Sequence, residues 1–150
     1  MNIDPDITIL MIEDDEVDVM AFRRAISKAE LPNQVFYASN GLEGLEYLRG
    51  EQGKPKIQQP CVVLLDLNMP KMNGFEFLEV LRADNELRDT AVFVLTTSNL
   101  DKDKVRAEQL SVAGYLVKSE LGETFLPVIE KLSAYWMSMA FAKCAAYDWE

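Results

Sequence analysis

A doubly wound α/β fold, in which helices cover both faces of a five-stranded parallel sheet and the last helix is extended, is the architecture this sequence predicts. Three observations lead there. Five short apolar runs rich in β-branched residues recur along the 150 residues, segments of helical period separate them, and the first and third runs both stop on carboxylates. Strict alternation of strand and helix makes every strand-to-strand connection a crossover, so the sheet is parallel and buried between two helical layers. Ligands of such sheets bind outside the carboxyl ends of the strands, which is where the acids fall.

The first strand is expected over 7–12, and Glu13-Asp14-Asp15 follows it. Asp15 is placed to cap a helix over 16–29, with Val17, Met20, Ala21, Ile26 and Ala29 as its apolar face. A second strand, 34–38, passes through Asn40-Gly41 into a helix over 41–50. The polar stretch from Gly50 to Pro60 reads as a mobile surface loop within the same domain. The third strand, 61–66, carries Val62-Val63-Leu64-Leu65 into Asp66 and breaks at Asn68-Met69-Pro70, before a helix over 74–84 opened by Asn73-Gly74. The fourth strand, 91–96, ends in Thr96, and one of Thr96, Thr97 and Ser98 is expected to cap a helix over 101–111. The fifth, 114–117, delivers Lys118.

A final helix begins near residue 123. Phe125, Ile129, Leu132, Trp136 and Met139 form one stripe, with Val128, Tyr135 and Ala142 widening it beyond what packing on a sheet requires. Apolar surface left exposed past residue 135 favours a partner or a symmetric homodimer through this helix. The chain reads as one domain over 1–150, its core at about 6–135 and residues 136–150 extending the last helix and tail.

Composition narrows the function. With 15 basic and 25 acidic residues the net charge is −10, which repels nucleic acid and anionic membrane alike. No signal peptide or membrane span is visible, and a cytoplasmic setting is expected, with Cys61 and Cys144 as reduced thiols. Histidine is absent, which removes imidazole-based catalysis and imidazole metal sites. Carboxylates, hydroxyls, lysine and a borrowed ion are left to do any chemistry.

Four strand ends converge on acid, acid, hydroxyl and ammonium: Glu13 and Asp14, Asp66, Thr96, and Lys118. Clustered carboxylates repel one another unless a cation joins them, and Mg²⁺ accepts two or three carboxylates, a carbonyl and water. The set suits phosphoryl transfer to Asp66, a reaction that depends mostly on positioning and electrostatics. Lys118 and the ion would offset phosphoryl charge, and the Thr96 hydroxyl would donate to a phosphoryl oxygen.

These residues, in this order, resemble the receiver domain of a two-component response regulator. The resemblance rests on Glu13-Asp14, Leu65-Asp66 before Asn68-Met69-Pro70, Gly74, Leu95-Thr96 and Tyr115-Leu116-Val117-Lys118, and covers about residues 6–135. It implies a flavodoxin-like receiver fold, with phosphate accepted by Asp66 from a histidine kinase or a histidine phosphotransfer protein. It further implies Mg²⁺ held by Asp14, Asp66 and the Asn68 backbone carbonyl, with Glu13 acting through water. Thr96 and Lys118 would contact the phosphoryl group, and Tyr115 matches the family's switch aromatic. Asn68 and Ser98 stand where the family tunes dephosphorylation, and neither is a base. One departure concerns the residue after the lysine. The family usually has proline there, often through a cis bond, whereas Ser119 leaves either a trans bond with a differently shaped loop or retained strain.

No effector domain follows in this chain, so output is expected through phosphorylation-dependent protein contacts. The long loop before the third strand and the Tyr135-Trp136 pair resemble regulators paired with phytochrome-type histidine kinases. Two other classes compete with this reading. An aspartyl-phosphate phosphatase needs a general acid two residues after the nucleophile, where Asn68 stands. A phosphate-independent adaptor needs only the fold, and an intermediate of a multistep phosphorelay needs the same acids.

Overall fold

The computed structural model describes residues 3–122 and 124–147, and side chains of the last helix through Ser138. Five parallel strands, β1 (Thr8–Ile12), β2 (Val35–Ala38), β3 (Cys61–Leu65), β4 (Ala91–Thr96) and β5 (Gly114–Val117), stand in the order β2-β1-β3-β4-β5. The five helices are α1 (Glu16–Lys28), α2 (Gly41–Arg49), α3 (Gly74–Ala83), α4 (Asp101–Gln109) and α5 (Leu126–Tyr147), and a short 3₁₀ turn covers Lys118–Glu120. The sheet reverses direction of winding at β1 and β3, whose register pairs Ile12 with Leu65. The two acid-bearing strand ends are therefore neighbours.

Alternation along the strands divides the core. Ile9, Met11, Val62, Leu64, Phe93 and Leu95 face α1 and α5, packing on Phe22, Ala25, Val128, Ile129 and Leu132. Leu10, Ile12, Val63, Leu65 and Val92 face the other way onto Leu45, Leu48, Phe77, Leu78 and Leu81. Leu67, Phe75, Val94 and Ala107 form a smaller cluster under α4.

Several expectations need correction. On α1, Val17 and Met20 are exposed, and the buried stripe starts instead at Phe22 and Ala25. Ala21, Ile26 and Ala29 pack partly against that core. The loop from Gly50 to Pro60 is fastened to α2. Ile57 is buried, its N–H donates to the Tyr47 carbonyl at 3.0 Å, and Lys54 pairs with Glu46 at 3.2 Å. Asn40 and Asn73 cap α2 and α3 through their side chains, Asn73 within a capping box closed by Glu76. At α4, by contrast, the cap position is Leu100 and no side chain caps it, so none of Thr96, Thr97 and Ser98 plays that part.

On α5, Val128 is fully buried and Tyr135 meets the Phe93 ring edge-on at 5.3 Å. Both serve the core instead of widening an exposed face; among the described side chains of the helix, Leu126 and Met137 are the exposed large apolar ones. The side chains of Met139, Ala142 and Cys144 lie outside the described set. Cys61 is a free, buried thiol that burial pushes up to about 12, against a smaller opposing pull from the Leu10 backbone. Such a thiol is inert at ordinary pH.

Candidate functional site at the carboxyl rim of the sheet

The site is built by strands that continue pairing just past their formal ends. The Glu13 N–H donates to the Ala38 carbonyl at 2.9 Å, and the Asp66 N–H donates to the Ile12 carbonyl at 3.0 Å. These bonds draw both acids into the rim and bury them, Glu13 at 4% exposure and Asp66 at 6%, while Asp14 beside them stays exposed. Asp15 stands apart from the cluster: its carboxylate caps α1, accepting from the Val17 N–H at 2.9 Å. Behind Asp66 the chain doubles back so tightly that the Gly74 N–H donates to the Leu67 carbonyl at 3.0 Å. A Cβ at Gly74 would collide with the Asp66 carbonyl and lie 2.7 Å from Leu67 Cα, so glycine is required there for close approach.

Lys118 leaves β5 at the start of the 3₁₀ turn and reaches back over the rim. Its peptide bond to Ser119 is trans; among the described residues the one cis peptide precedes Pro60. Its ammonium lies 2.7 Å from Glu13 Oε2, 2.7 Å from Asp18 Oδ2 and 3.6 Å from Asp66 Oδ2. The Asp18 contact is a well-directed hydrogen bond. Glu13 Oε2, although close, is buried without a directed donor.

Burial dominates the electrostatics of Glu13. It pushes the carboxyl up to about 8; the Lys118 contact opposes this and the Asp66 charge adds to it. For Lys118, burial works against the charge, but the bonds to Asp18 and Glu13 outweigh it and hold the ammonium above the ordinary lysine range. Acids thus outnumber cations at the rim, with Glu13, Asp18 and Asp66 around one ammonium and Asp14 exposed beside them.

That excess bears on whether a divalent cation fits. Oxygens of Glu13, Asp14 and Asp66 all lie within 4.8 Å of one another. A magnesium ion holds oxygens at about 2.1 Å, so its ligands sit about 3–4 Å apart, a modest contraction from the spacing seen. All three donors are carboxylates, the ligand type hard cations take. Glu13, Asp14 and Asp66 share this rim with one ammonium, so the carboxylates outnumber the positive charge beside them. The residues fit the group.

Thr96 is fully buried at the end of β4, and its hydroxyl oxygen accepts from the Ser98 N–H at 3.3 Å. Beyond it, the Ser98 hydroxyl donates to Asp103 at 2.5 Å. The Tyr115 ring packs against the Leu67, Phe75, Val94 and Ala107 cluster, and its hydroxyl donates to the Ser98 carbonyl at 3.1 Å. Burial raises its pKa, against a smaller opposing pull from the Ser98 side chain. Tyr115, Ser98 and Asp103 therefore tie the β4–α4 loop down from two sides. The Asn68 side chain is exposed, and its N–H makes a long 3.4 Å bond to Asp66 Oδ1.

Glu13, Asp14, Asp66 and Lys118 are thus brought together, with Thr96 buried at the end of the adjoining strand. Asp18 is the residue that sequence reasoning missed. Its spacing carried a usable signal: it lies four residues after Asp14, in the first turn of α1, and so returns to the same rim.

A five-stranded sheet in this order, with an acid pair, a buried aspartate and a reaching lysine at its carboxyl edge, defines a receiver-type signalling module. Residues 9–129 match the model of the response regulator receiver domain, and the chain belongs to that family. It is the receiver domain of a two-component response regulator, homologous to phytochrome-associated regulators. It is 35% identical to the probable methanogenesis regulatory protein FilR2 of Methanothrix harundinacea, over 86% of this chain and 83% of that one. Among solved structures it is similar to the phosphorylated cyanobacterial phytochrome response regulator RcpA. The TM-score is 0.77 and the identity 30%, over 88% of this chain and 94% of that one. The Mn²⁺-bound form of response regulator Rcp1 aligns with TM-score 0.73 and 26% identity, over 86% and 93% of the two chains. Rcp1 is a Synechocystis protein. No described helix is long and apolar enough to cross a membrane.

Proposed function

We propose that this chain is a phosphoacceptor, one receiver domain over residues 1–150, that takes a phosphoryl group onto Asp66 from a histidine kinase or a histidine phosphotransfer protein. One observation carries the reading. Asp66 is buried within 4.8 Å of two further carboxylates, and an ammonium stands 3.6 Å from its Oδ2. A carboxylate oxygen of Asp66 attacks phosphorus; the new O–P bond forms as the P–N bond to the donor imidazole breaks, and that electron pair returns to nitrogen. Asp14, Asp66 and the Asn68 carbonyl would hold Mg²⁺, with Glu13 through water, and the ion when bound neutralises charge on the phosphoryl oxygens. Lys118 is near enough to engage an oxygen added at Asp66. Thr96, already at the rim, offers its hydroxyl to another. Tyr115, bonded to the loop that follows Thr96, is positioned to report that movement to the α4 and β5 surface.

Output then runs through protein contacts in the cytoplasm, with no nucleic acid bound by a chain of charge −10. The likeness to RcpA and Rcp1 favours a phytochrome-type sensor kinase as donor. Self-association through α5, whose Met137 is 62% exposed, belongs to the same reading and is checked by sedimentation with and without phosphodonor.

Intact mass after incubation with acetyl phosphate tests the centre of the proposal. The expected result is a Mg²⁺-dependent adduct of about 80 Da, the mass of one phosphoryl group, absent in Asp66→Asn. An adduct that persists in Asp66→Asn would place the acceptor elsewhere. Absence of any adduct, with a partner bound equally by both proteins, would make the chain a phosphate-independent adaptor.

A further inference from the structure

The well-directed hydrogen bond of Lys118 goes neither to the proposed acceptor nor to Glu13 but to Asp18, at 2.7 Å. Both partners are shielded, the lysine side chain at 12% exposure and the aspartate at 18%, so solvent screens the pair far less than a surface bridge. Three carboxylates then surround one ammonium, two at 2.7 Å and Asp66 at 3.6 Å.

We infer that Asp18 is a positioning residue for Lys118, holding the ammonium in a loose ion pair with Asp66 but beyond hydrogen-bond distance of it. The inference rests on the receiver reading above and adds a residue to it. An ammonium has three N–H groups and turns them toward the charge around it. With Asp18 taking one and Glu13 drawing on another, the third is left facing the Asp66 side without closing on it. Once the Asp18 charge is removed, only Glu13 and Asp66 attract Nζ, and the 3.6 Å gap closes. Lys118 would then occupy the carboxylate oxygen that both a cation and a phosphorus atom must reach. Asp18 so keeps the nucleophile available while keeping the lysine within reach of an incoming phosphoryl oxygen. It sits in the first turn of α1, so its backbone is fixed by the helix that Asp15 caps.

The alternative is a strut that only joins α1 to the end of β5, and a double-substitution cycle separates the two. Mg²⁺ binding to the unphosphorylated chain is measured by calorimetry, and the acetyl phosphate reaction at saturating Mg²⁺ by intact mass. Asp18→Asn is expected to weaken Mg²⁺ binding about tenfold, as loss of an outer-shell partner commonly does, and to slow adduct formation by a similar factor. Glu16→Gln, which removes an exposed acid from the same turn, controls for net charge and should change either value less than about twofold. Asp18→Glu keeps the charge and should recover most of the binding. In a Lys118→Met background, Asp18→Asn should weaken Mg²⁺ binding no more than Glu16→Gln does, because the lysine it restrained is gone. Should Asp18→Asn fail to fold, Asp18→Ser takes its place in every arm.

Equal effects of Asp18→Asn and Glu16→Gln, or the same Asp18→Asn effect with and without Lys118, would overturn the positioning role and leave the receiver reading intact. An unsubstituted chain that neither binds Mg²⁺ nor forms an adduct would overturn both.

Discussion

Two half-shielded cations brace opposite ends of the sheet, and they are satisfied in opposite ways. Arg82, at the end of α3, donates from Nε to the Leu110 carbonyl at 2.8 Å and from Nη1 to those of Arg88 and Thr90 at 2.7 and 2.8 Å. Its Nη2 reaches the Ser111 carbonyl at 3.2 Å. Every acceptor is a neutral carbonyl, and together they join α3 to the segments that lead into β4 and β5. Lys118, past the other end of β5, faces carboxylates instead, one of them buried without a directed donor. The planar fork of arginine fits converging carbonyls; the compact ammonium is a point charge that several acids can share. The Arg82 end is complete. The Lys118 end carries excess negative charge and becomes complete only when more positive charge arrives, a property a binding site needs and a strut does not.

Stability should expose this contrast, with opposite signs at the two ends. The largest effect is expected at the complete end. Arg82→Ala strips four carbonyls of their donor, and although water reaches some of them, about 2–4 kcal/mol should be lost. That corresponds to a fall in Tm of roughly 5–12 °C for a chain of this size, read by calorimetry, with the Mg²⁺ affinity unchanged. A loss below about 1 kcal/mol would mean the carbonyls are hydrated as well as bonded, and the contrast would weaken.

At the incomplete end, removing an acid should stabilise the metal-free protein. Above pH 8, where Glu13 is ionised, Glu13→Gln keeps the shape and deletes a buried charge, and a gain of about 1–2 kcal/mol is expected there. The pH dependence gives the sign independently. Burial raises the Glu13 carboxyl from 4.5 to about 8, so between those values the folded chain holds a proton that the unfolded chain has released. Its stabilising contribution is full below pH 4.5 and is lost as pH rises through 8. Metal-free stability should thus fall with pH across that window, by at most about 1.4 kcal/mol per pH unit, and the Glu13→Gln substitution should flatten the slope. Lys118 does not blur the window, because the stability its raised pKa contributes is lost only above the ordinary lysine range. Excess Mg²⁺ should also flatten the slope by keeping Glu13 ionised at lower pH. A slope that survives in Glu13→Gln would assign the titration to another group.

The difference between the two ends was only half legible in the sequence. Strand ends were readable, since a β-branched run that stops on Asp66, Thr96 or Lys118 announces both the strand and what it delivers. Those residues were singled out because short parallel strands leave little freedom in where they end. Helix faces were harder. Val17 and Met20 fit a helical period on α1, but so do Phe22 and Ala25, and only the position of α5 decides which stripe is buried. Asp18 and Arg82 escaped for a shared reason. Their partners lie at the ends of distant elements, Lys118 for one and Leu110 and Ser111 for the other; the spacing from Asp14 could place Asp18 at the rim, but no local pattern names either partner. The loop from Gly50 to Pro60 has a loop's composition, yet the single apolar Ile57 anchors it in the core.

Tyr115 tests the boundary between the two ends, and the smallest effect is expected there. Its hydroxyl donates to the Ser98 carbonyl while the ring packs on Leu67, Phe75, Val94 and Ala107. Tyr115→Phe keeps the ring and deletes one hydrogen bond at a half-buried site, so the loss should be about 0.5 kcal/mol, or roughly 1–2 °C in Tm. The β4–α4 loop would keep its other ties, from the Ser98 N–H to the Thr96 hydroxyl oxygen and from the Ser98 hydroxyl to Asp103. Adduct formation with acetyl phosphate should proceed at nearly the original rate, since the deleted hydroxyl bonds to the loop carbonyl and to none of the acids. A Tm loss approaching that of Arg82→Ala would mean the β4–α4 loop is already as rigidly completed as the far end of the sheet. The open character of the rim would then be confined to the acids around Lys118, and Tyr115 would act as a strut, with no part in relaying what happens at Asp66.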